Sequence, residues 1–217
     1  MDGHLDIGIS VQNVYKEFKG TTVLRDVSRD FEVGKIHGIV GSNGSGKTVL
    51  FKCICGFMFP SKGRILVDYQ VVGRDMDFPE DMGLIIETPG FNARRSGFQE
   101  LKFLASLRGK ISEKQIWQTI QKVGLDPASK KHIGKYSLGM RQRLGLAQAI
   151  MENPRFLILD EPFNGLDKTG AAEMRELLKN LRSDGRTILL ASHNALDIEE
   201  LCDTVCEMDA GVLTPVR

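Results

Sequence analysis

The octet GSNGSGKT, Gly41 to Thr48, puts three glycines, a lysine and a threonine where a chain needs them to hold phosphate. Gly41, Gly44 and Gly46 let the backbone wrap its N–H groups around an anion, Lys47 adds a mobile positive charge, and the Thr48 hydroxyl is placed to ligate magnesium. Far downstream, FLILDEP sets Asp160 and Glu161 at the end of an apolar run. An acid there holds a metal directly or through water, while its neighbour orients or deprotonates an attacking water. Glu87 closes GLIIE and His193 follows TILLAS in the same manner, each at the end of an apolar stretch. Taken singly, such residues are as readily helix caps, solvated turns or packing; beside a complete phosphate loop they become candidates for metal, water and terminal-phosphate contacts.

A second stretch, YSLGMRQR (Tyr136 to Arg143), also reads as an anion site. Ser137 caps a new helix, Gly139 permits close approach of a ligand to the backbone, and Arg141 and Arg143 add charge near the first turn.

The elements that must position these residues follow from periodicity. The opening ISVQNVYKEFKGTTVLRDVSRDFEVGK alternates apolar and polar residues with Gly punctuation and predicts antiparallel strands and turns. IHGIV, the phosphate loop and TVLFKCICGF give strand, loop and helix in order, and RILVDYQVV and MGLIIE are further strand regions. Residues 88–151 read mainly as helix, through FQELKFLASLR, SEKQIWQTIQKVGL and SLGMRQRLGLAQAIM. Then RFLILDEP, KTGAAEMRELLKNLRSDG, RTILLASH and NALDIEELCD alternate buried strand and helix. The expectation is one α/β domain over residues 1–217: a mainly parallel sheet preceded by an antiparallel β region, with 1–87 and 152–217 as the core and 88–151 as an inserted helical lobe. In such a sheet, residues just past the strands' C-terminal ends converge on one crevice.

Lys and Arg total 29 against 28 Asp and Glu, a net charge of +1, so no large field draws nucleic acid or anionic lipid. No apolar run approaches the length of a membrane span, and a soluble, cytoplasmic chain is expected. Cys53 with Cys55, and Cys202 with Cys206, lack the second Cys/His pair that a metal site needs, and are read as reduced, buried thiols.

Together these pieces resemble the ATP-binding subunit of an ABC transporter, across essentially the whole chain. Gly41 to Thr48 resembles Walker A, Phe156 to Glu161 Walker B with its adjacent catalytic glutamate, NGLD (Asn164 to Asp167) the D-loop, and His193 the switch histidine; Tyr136 to Met140 stands where the family has L-S-G-G-Q. The resemblance implies an ABC ATPase fold built on a P-loop core, hydrolysis of ATP with Mg2+, and head-to-tail pairing with a second ATPase subunit beneath separate membrane permease subunits, on the inner face of the membrane. It implies contacts to ATP from Gly41, Ser42, Asn43, Gly44, Ser45, Gly46, Lys47, Thr48, Val49 and Asp167, and from Ser137 and Gly139 to the neighbour's ATP. Thr48, Asp160 and Glu87 become the metal candidates, and Glu161, His193, Lys47 and Glu87 the catalytic ones. Phe18 matches the aromatic residue that stacks on adenine, with Tyr15 as alternative and a β-core role as the rival reading.

Three positions depart from the family pattern: Glu87 replaces the Q-loop glutamine, Leu138 the first signature glycine, and Met140 the signature glutamine. A carboxylate at Glu87 binds magnesium but donates no amide hydrogen bond. LIIETPGF with YSLGMRQRLGLAQAI is similar to ATPase subunits of exporters of bacitracin-like or lantibiotic peptides. Two other functions remain open at this point: a nucleotide-dependent switch with little turnover, and a soluble ABC ATPase without a transport role.

Overall fold

The computed structural model describes residues 6–87 and 90–217. Thr88 and Pro89, where the expected lobe begins, lie outside the described residues. From the N-terminus, β1 (Ile7–Phe18) and β2 (Thr21–Glu32) form a hairpin, and β3 (Ile36–Val40) runs through the phosphate loop into α1 (Lys47–Ile54). Next come β4 (Lys62–Val67), β5 (Gln70–Val71) and β6 (Met82–Ile85). The lobe holds α2 (Gly97–Arg108), α3 (Glu113–Lys122), a short 3-10 turn at Ile133–Lys135 and α4 (Leu138–Ile150). Then β7 (Phe156–Asp160), α5 (Lys168–Ser183), β8 (Thr187–Ala191), α6 (Ala195–Leu201), β9 (Thr204–Asp209) and β10 (Val212–Pro215) complete the chain.

The strands form two sheets, a four-stranded one in the order β2-β1-β4-β5 and a six-stranded one in the order β10-β9-β3-β8-β7-β6. The first is antiparallel throughout. In the second, β9, β3, β8, β7 and β6 run parallel and only β10 turns back. Strands buried on both faces explain the unbroken apolar runs. In β7, Phe156 and Ile158 enter the core shared with α1 and the antiparallel sheet, whereas Leu157 and Leu159 enter the core shared with the lobe and α5. β8 divides likewise, Leu189 and Ala191 to one side and Ile188 and Leu190 to the other. Each fully buried Leu or Ile contributes about 1.5–3 kcal/mol, so the two cores clamp the sheet that carries the phosphate loop.

Local signals set the helix starts. Ser96 and Ser112 form capping boxes with Gln99 and Gln115, while Ser137, Asp167 and Asn194 cap α4, α5 and α6 by accepting from backbone N–H groups. The lobe adds no separate core: Leu101, Ile116 and Leu144 share one cluster with Leu157, Leu159 and Ile85. The hairpin of β9 and β10 is a feature that periodicity did not reveal. It places Cys206 in a strand, whereas Cys202 caps α6, so no helix runs through both.

Candidate functional site

β3 ends in Val40, and the loop that follows turns back on itself through Gly41, Gly44 and Gly46, all at positive φ. Gly41 is obligatory in space as well as in backbone angle: its φ is 145°, and a Cβ there would stand 2.2 Å from the Met208 carbonyl oxygen. Lys47 opens α1 and folds its ammonium over the loop, donating to the carbonyls of Gly41 at 2.7 Å and Ser42 at 2.9 Å. The loop is thus held in a cradle shape with a buried positive charge at its centre.

Across the sheet, β6 and β7 end beside this loop. The Thr48 hydroxyl donates to Asp160 Oδ2 at 2.6 Å, bringing the two expected metal ligands together. Two hard oxygen donors, a hydroxyl and a carboxylate, suit Mg2+, which keeps several waters and takes few protein ligands. Glu161 and Glu87 follow β7 and β6 with φ of 52° and 63°, in the left-handed region that costs a non-glycine residue about 1–2 kcal/mol. The surroundings enforce Glu161: its N–H donates to the Ala191 carbonyl at 2.9 Å, and its own carbonyl accepts from Gln142 Nε2 at 3.2 Å. Its carboxylate meets His193 Nδ1 at 2.8 Å.

His193 itself is exposed, but its loop is not free to wander. Ser192, buried beside it, donates to Asp197 Oδ2 at 3.0 Å and accepts from Asn194 N–H at 3.1 Å, while Arg175 Nε donates to Asp197 Oδ1 at 2.8 Å. Glu87 is paired with Lys52 of α1, whose Nζ donates to Oε1 at 2.6 Å.

One cleft of ≈ 470 Å³ gathers Asn43, Gly44, Gly46, Lys47, Thr48 and Val49 with Glu87, Asp160 and Glu161, together with Val23, Leu138, Gln142 and Asn164. Other expected site residues stand elsewhere. Ser137 is exposed at the start of α4, where its Oγ accepts from Met140 N–H at 3.2 Å, and Asp167 caps α5 by accepting from Gly170 N–H at 2.8 Å. Gly139 lies against the D-loop, where a Cβ would be 2.7 Å from the Gly165 carbonyl oxygen, and Leu138 packs over Gly165 itself. Phe18, at the end of β1, is partly exposed with Lys16 Nζ 5.0 Å from its ring centre, and Val23 is what reaches the cleft from that hairpin. Tyr15 faces Lys62 at 5.8 Å. Gln142 and Lys52 were not singled out from the sequence. Gln142 lies two residues beyond Met140 and is buried, a polar residue on an inward face.

The turn from Gly90 to Phe98 is tied at several points. Buried Glu100 accepts from Asn92 N–H and from Arg95, Arg95 stacks 4.0 Å from the Phe103 ring centre, and the N–H groups of Ile133 and Gly134 donate to the carbonyls of Arg95 and Ala93. The four cysteines are buried and free, and burial pushes the Cys53 thiol up to about 11 and the Cys202 thiol up to about 12, away from any reactive range. Among the described residues, no cluster of His, Cys, Asp and Glu forms a ready metal cage, and no helix is long and apolar enough to cross a membrane.

A glycine-lined loop between a parallel strand and a helix, a hydroxyl bonded to a carboxylate, and a glutamate held by histidine beside them define a P-loop nucleoside triphosphatase. Comparison narrows that class. The family model described as ABC transporter matches residues 24–164. The chain is 41% identical over 205 residues to the uncharacterised ABC transporter ATP-binding protein YybJ of Bacillus subtilis, covering 94% of each. It is 39% identical over 207 residues to the bacitracin transport ATP-binding protein BcrA of Enterococcus faecalis, covering 94% of this chain and 67% of that one. Among solved structures, cbiO1 of Clostridium perfringens, part of the ABC transporter complex cbiONQ, superimposes with a TM-score of 0.82 at 29% identity, covering 96% of this chain and 87% of that one. The chain belongs to the ABC transporter family, as an ATP-binding, ATP-hydrolysing subunit.

Proposed function

We propose that this chain hydrolyses Mg-ATP in a pocket shared with a second ATPase subunit, and that closing and opening of that pocket drives a separate permease in the membrane. The convergence of Lys47, Thr48, Asp160 and Glu161 in one open cleft carries the reading. Backbone N–H groups of Gly44 to Thr48 and the start of α1 receive the phosphates, and Lys47 leaves its loop carbonyls for the outer phosphates. Thr48 and Asp160 hold Mg2+, which offsets triphosphate charge when bound. Glu161 orients the attacking water and accepts its proton; His193 fixes the Glu161 carboxylate and reaches the terminal phosphate. Glu87 offers a further oxygen to the metal or its water from the rim.

Two features support a shared pocket. The cleft is open to solvent, which leaves a bound triphosphate partly in water, and the Ser137 helix start is exposed, with Oγ among the described residues accepting from Met140 N–H of its own helix. A partner's α4 N-terminus would supply donors and exclude solvent over the terminal phosphate. Leu138 sits at the same helix start and lines the chain's own cleft, so this signature serves both sides of the interface. The likeness to a bacitracin transport subunit supports a peptide antibiotic as the cargo of the complete transporter, with this subunit peripheral on the inner membrane face. Ser137→Arg tests the arrangement. It abolishes ATP-driven dimerisation and turnover but leaves ATP binding to the monomer intact; equal loss of monomer binding contradicts the shared pocket.

A further inference from the structure

Glu87 poses an electrostatic problem that the cleft must solve. Among the described residues lining it, three carboxylates, Glu87, Asp160 and Glu161, face one ammonium, Lys47, and the ligand is itself a polyanion. Asp160 is engaged by Thr48 and Glu161 by His193. Lys47 is occupied with the carbonyls of Gly41 and Ser42. An amide at position 87 would add no charge, whereas a carboxylate repels the phosphates unless a cation answers it.

Lys52 is that cation. It lies on α1, the helix that starts at the phosphate loop, and its Nζ donates to Glu87 Oε1 at 2.6 Å. The lysine side chain is 21% exposed and the glutamate 64%, so the half-buried partner anchors the exposed one. The Glu87 backbone itself stands in the left-handed region, at a φ of 63°. The pair occupies Oε1; among the described residues Oε2 accepts no hydrogen bond, and Glu87 lines the cleft. Helix α1 therefore carries two lysines with separate tasks, one shaping the loop and one answering the acid across the rim.

We propose that Lys52 is a positioning residue for nucleotide binding: its ion pair neutralises Glu87 and aims the free carboxylate oxygen at the metal side of the cleft, which lets a glutamate stand where the family has glutamine. The aiming part rests on the reading of Glu87 as a metal or water ligand; the neutralising part does not.

A double-mutant cycle on the full chain separates the two. Parent, K52M, E87Q and K52M/E87Q, each carrying E161Q to stop turnover, are titrated with trinitrophenyl-ATP in EDTA and in Mg2+, with thermal melting to confirm folding. In EDTA, K52M weakens binding about fivefold, the size of one unanswered partly exposed charge of about 1 kcal/mol. Adding E87Q to K52M restores affinity to within about twofold of E87Q alone, and K52R retains it. Equal loss from K52M with and without E87Q, or no loss in EDTA, overturns the proposal. The strengthening of binding by Mg2+ is the second readout. It falls in E87Q and in K52M; if neither changes it while the EDTA coupling persists, Glu87 is not a metal-side ligand and the aiming part fails alone.

Discussion

Replacing Arg175 with Met probes the support beneath His193. Asp197 is 1% exposed and Arg175 11%, and the 2.8 Å contact from Nε to Oδ1 gives this carboxylate its cationic partner, Ser192 supplying the other oxygen's donor at 3.0 Å. Removing one member of a buried pair leaves an uncompensated charge and costs about 3–5 kcal/mol, far more than the pair contributes over a neutral substitute. With a urea dependence of about 2 kcal/mol per molar, the unfolding midpoint of R175M falls by about 2 M. D197N on its own costs less, because Arg175 is nearer solvent and has Glu200 at 3.9 Å. The double variant R175M/D197N recovers at least half of the loss in R175M, since the stranded charge is gone. Equilibrium urea denaturation followed by circular dichroism measures all four proteins. A loss below about 1 kcal/mol in R175M, the range of exposed pairs, would refute the reasoning by showing Asp197 to be hydrated.

Other expectations are more local. Gly41→Ala places a Cβ 2.2 Å from the Met208 carbonyl oxygen at a φ of 145°, so it lowers the melting temperature and weakens fluorescent ATP binding at least tenfold; retained affinity would contradict the cradle geometry. His37 is buried between Thr204 and the Glu32 carbonyl, and burial holds it below the ordinary 6.5. The unfolded chain therefore binds the proton first: its stabilising share is complete above pH 6.5 and is lost as pH falls toward the lower folded value. The urea midpoint of the parent drops more between pH 7.5 and 5.5 than that of His37→Gln, and equal slopes would contradict this. His193→Ala lowers phosphate release about 100-fold with ATP affinity little changed, because the 2.8 Å contact that orients Glu161 is lost.

Much of the fold was legible because parallel strands buried on both faces leave near-continuous apolar runs, as in the FLIL of FLILD and the ILLA of TILLA. The phosphate loop declared itself through the spacing of its glycines ahead of a lysine and a threonine, and all three glycines stand at positive φ. What escaped has a physical pattern. The β9–β10 hairpin lies at the sheet edge, where TVCEMD and VLTP mix polar and apolar residues and the flanking helix invites a longer helical reading. Lys52 carries no signal because its partner lies 35 residues away, and a lysine on a helix ordinarily faces solvent. The ties of the Gly90–Phe98 turn carry no sequence signal because they run largely through backbone groups and a buried glutamate. The two candidate acids with positive φ share a property that sequence hides altogether, since nothing about a glutamate announces a left-handed backbone.

The central claim is that one subunit cannot enclose its nucleotide alone. Sedimentation velocity of Glu161→Gln, with saturating ATP and Mg2+ and again with EDTA, tests it most directly. A dimer in Mg-ATP that dissolves on chelation is the expected result, and adding S137R to the same protein abolishes it. A protein that stays monomeric while fully loaded with Mg-ATP, in detergent with its permease as well as alone, contradicts the account.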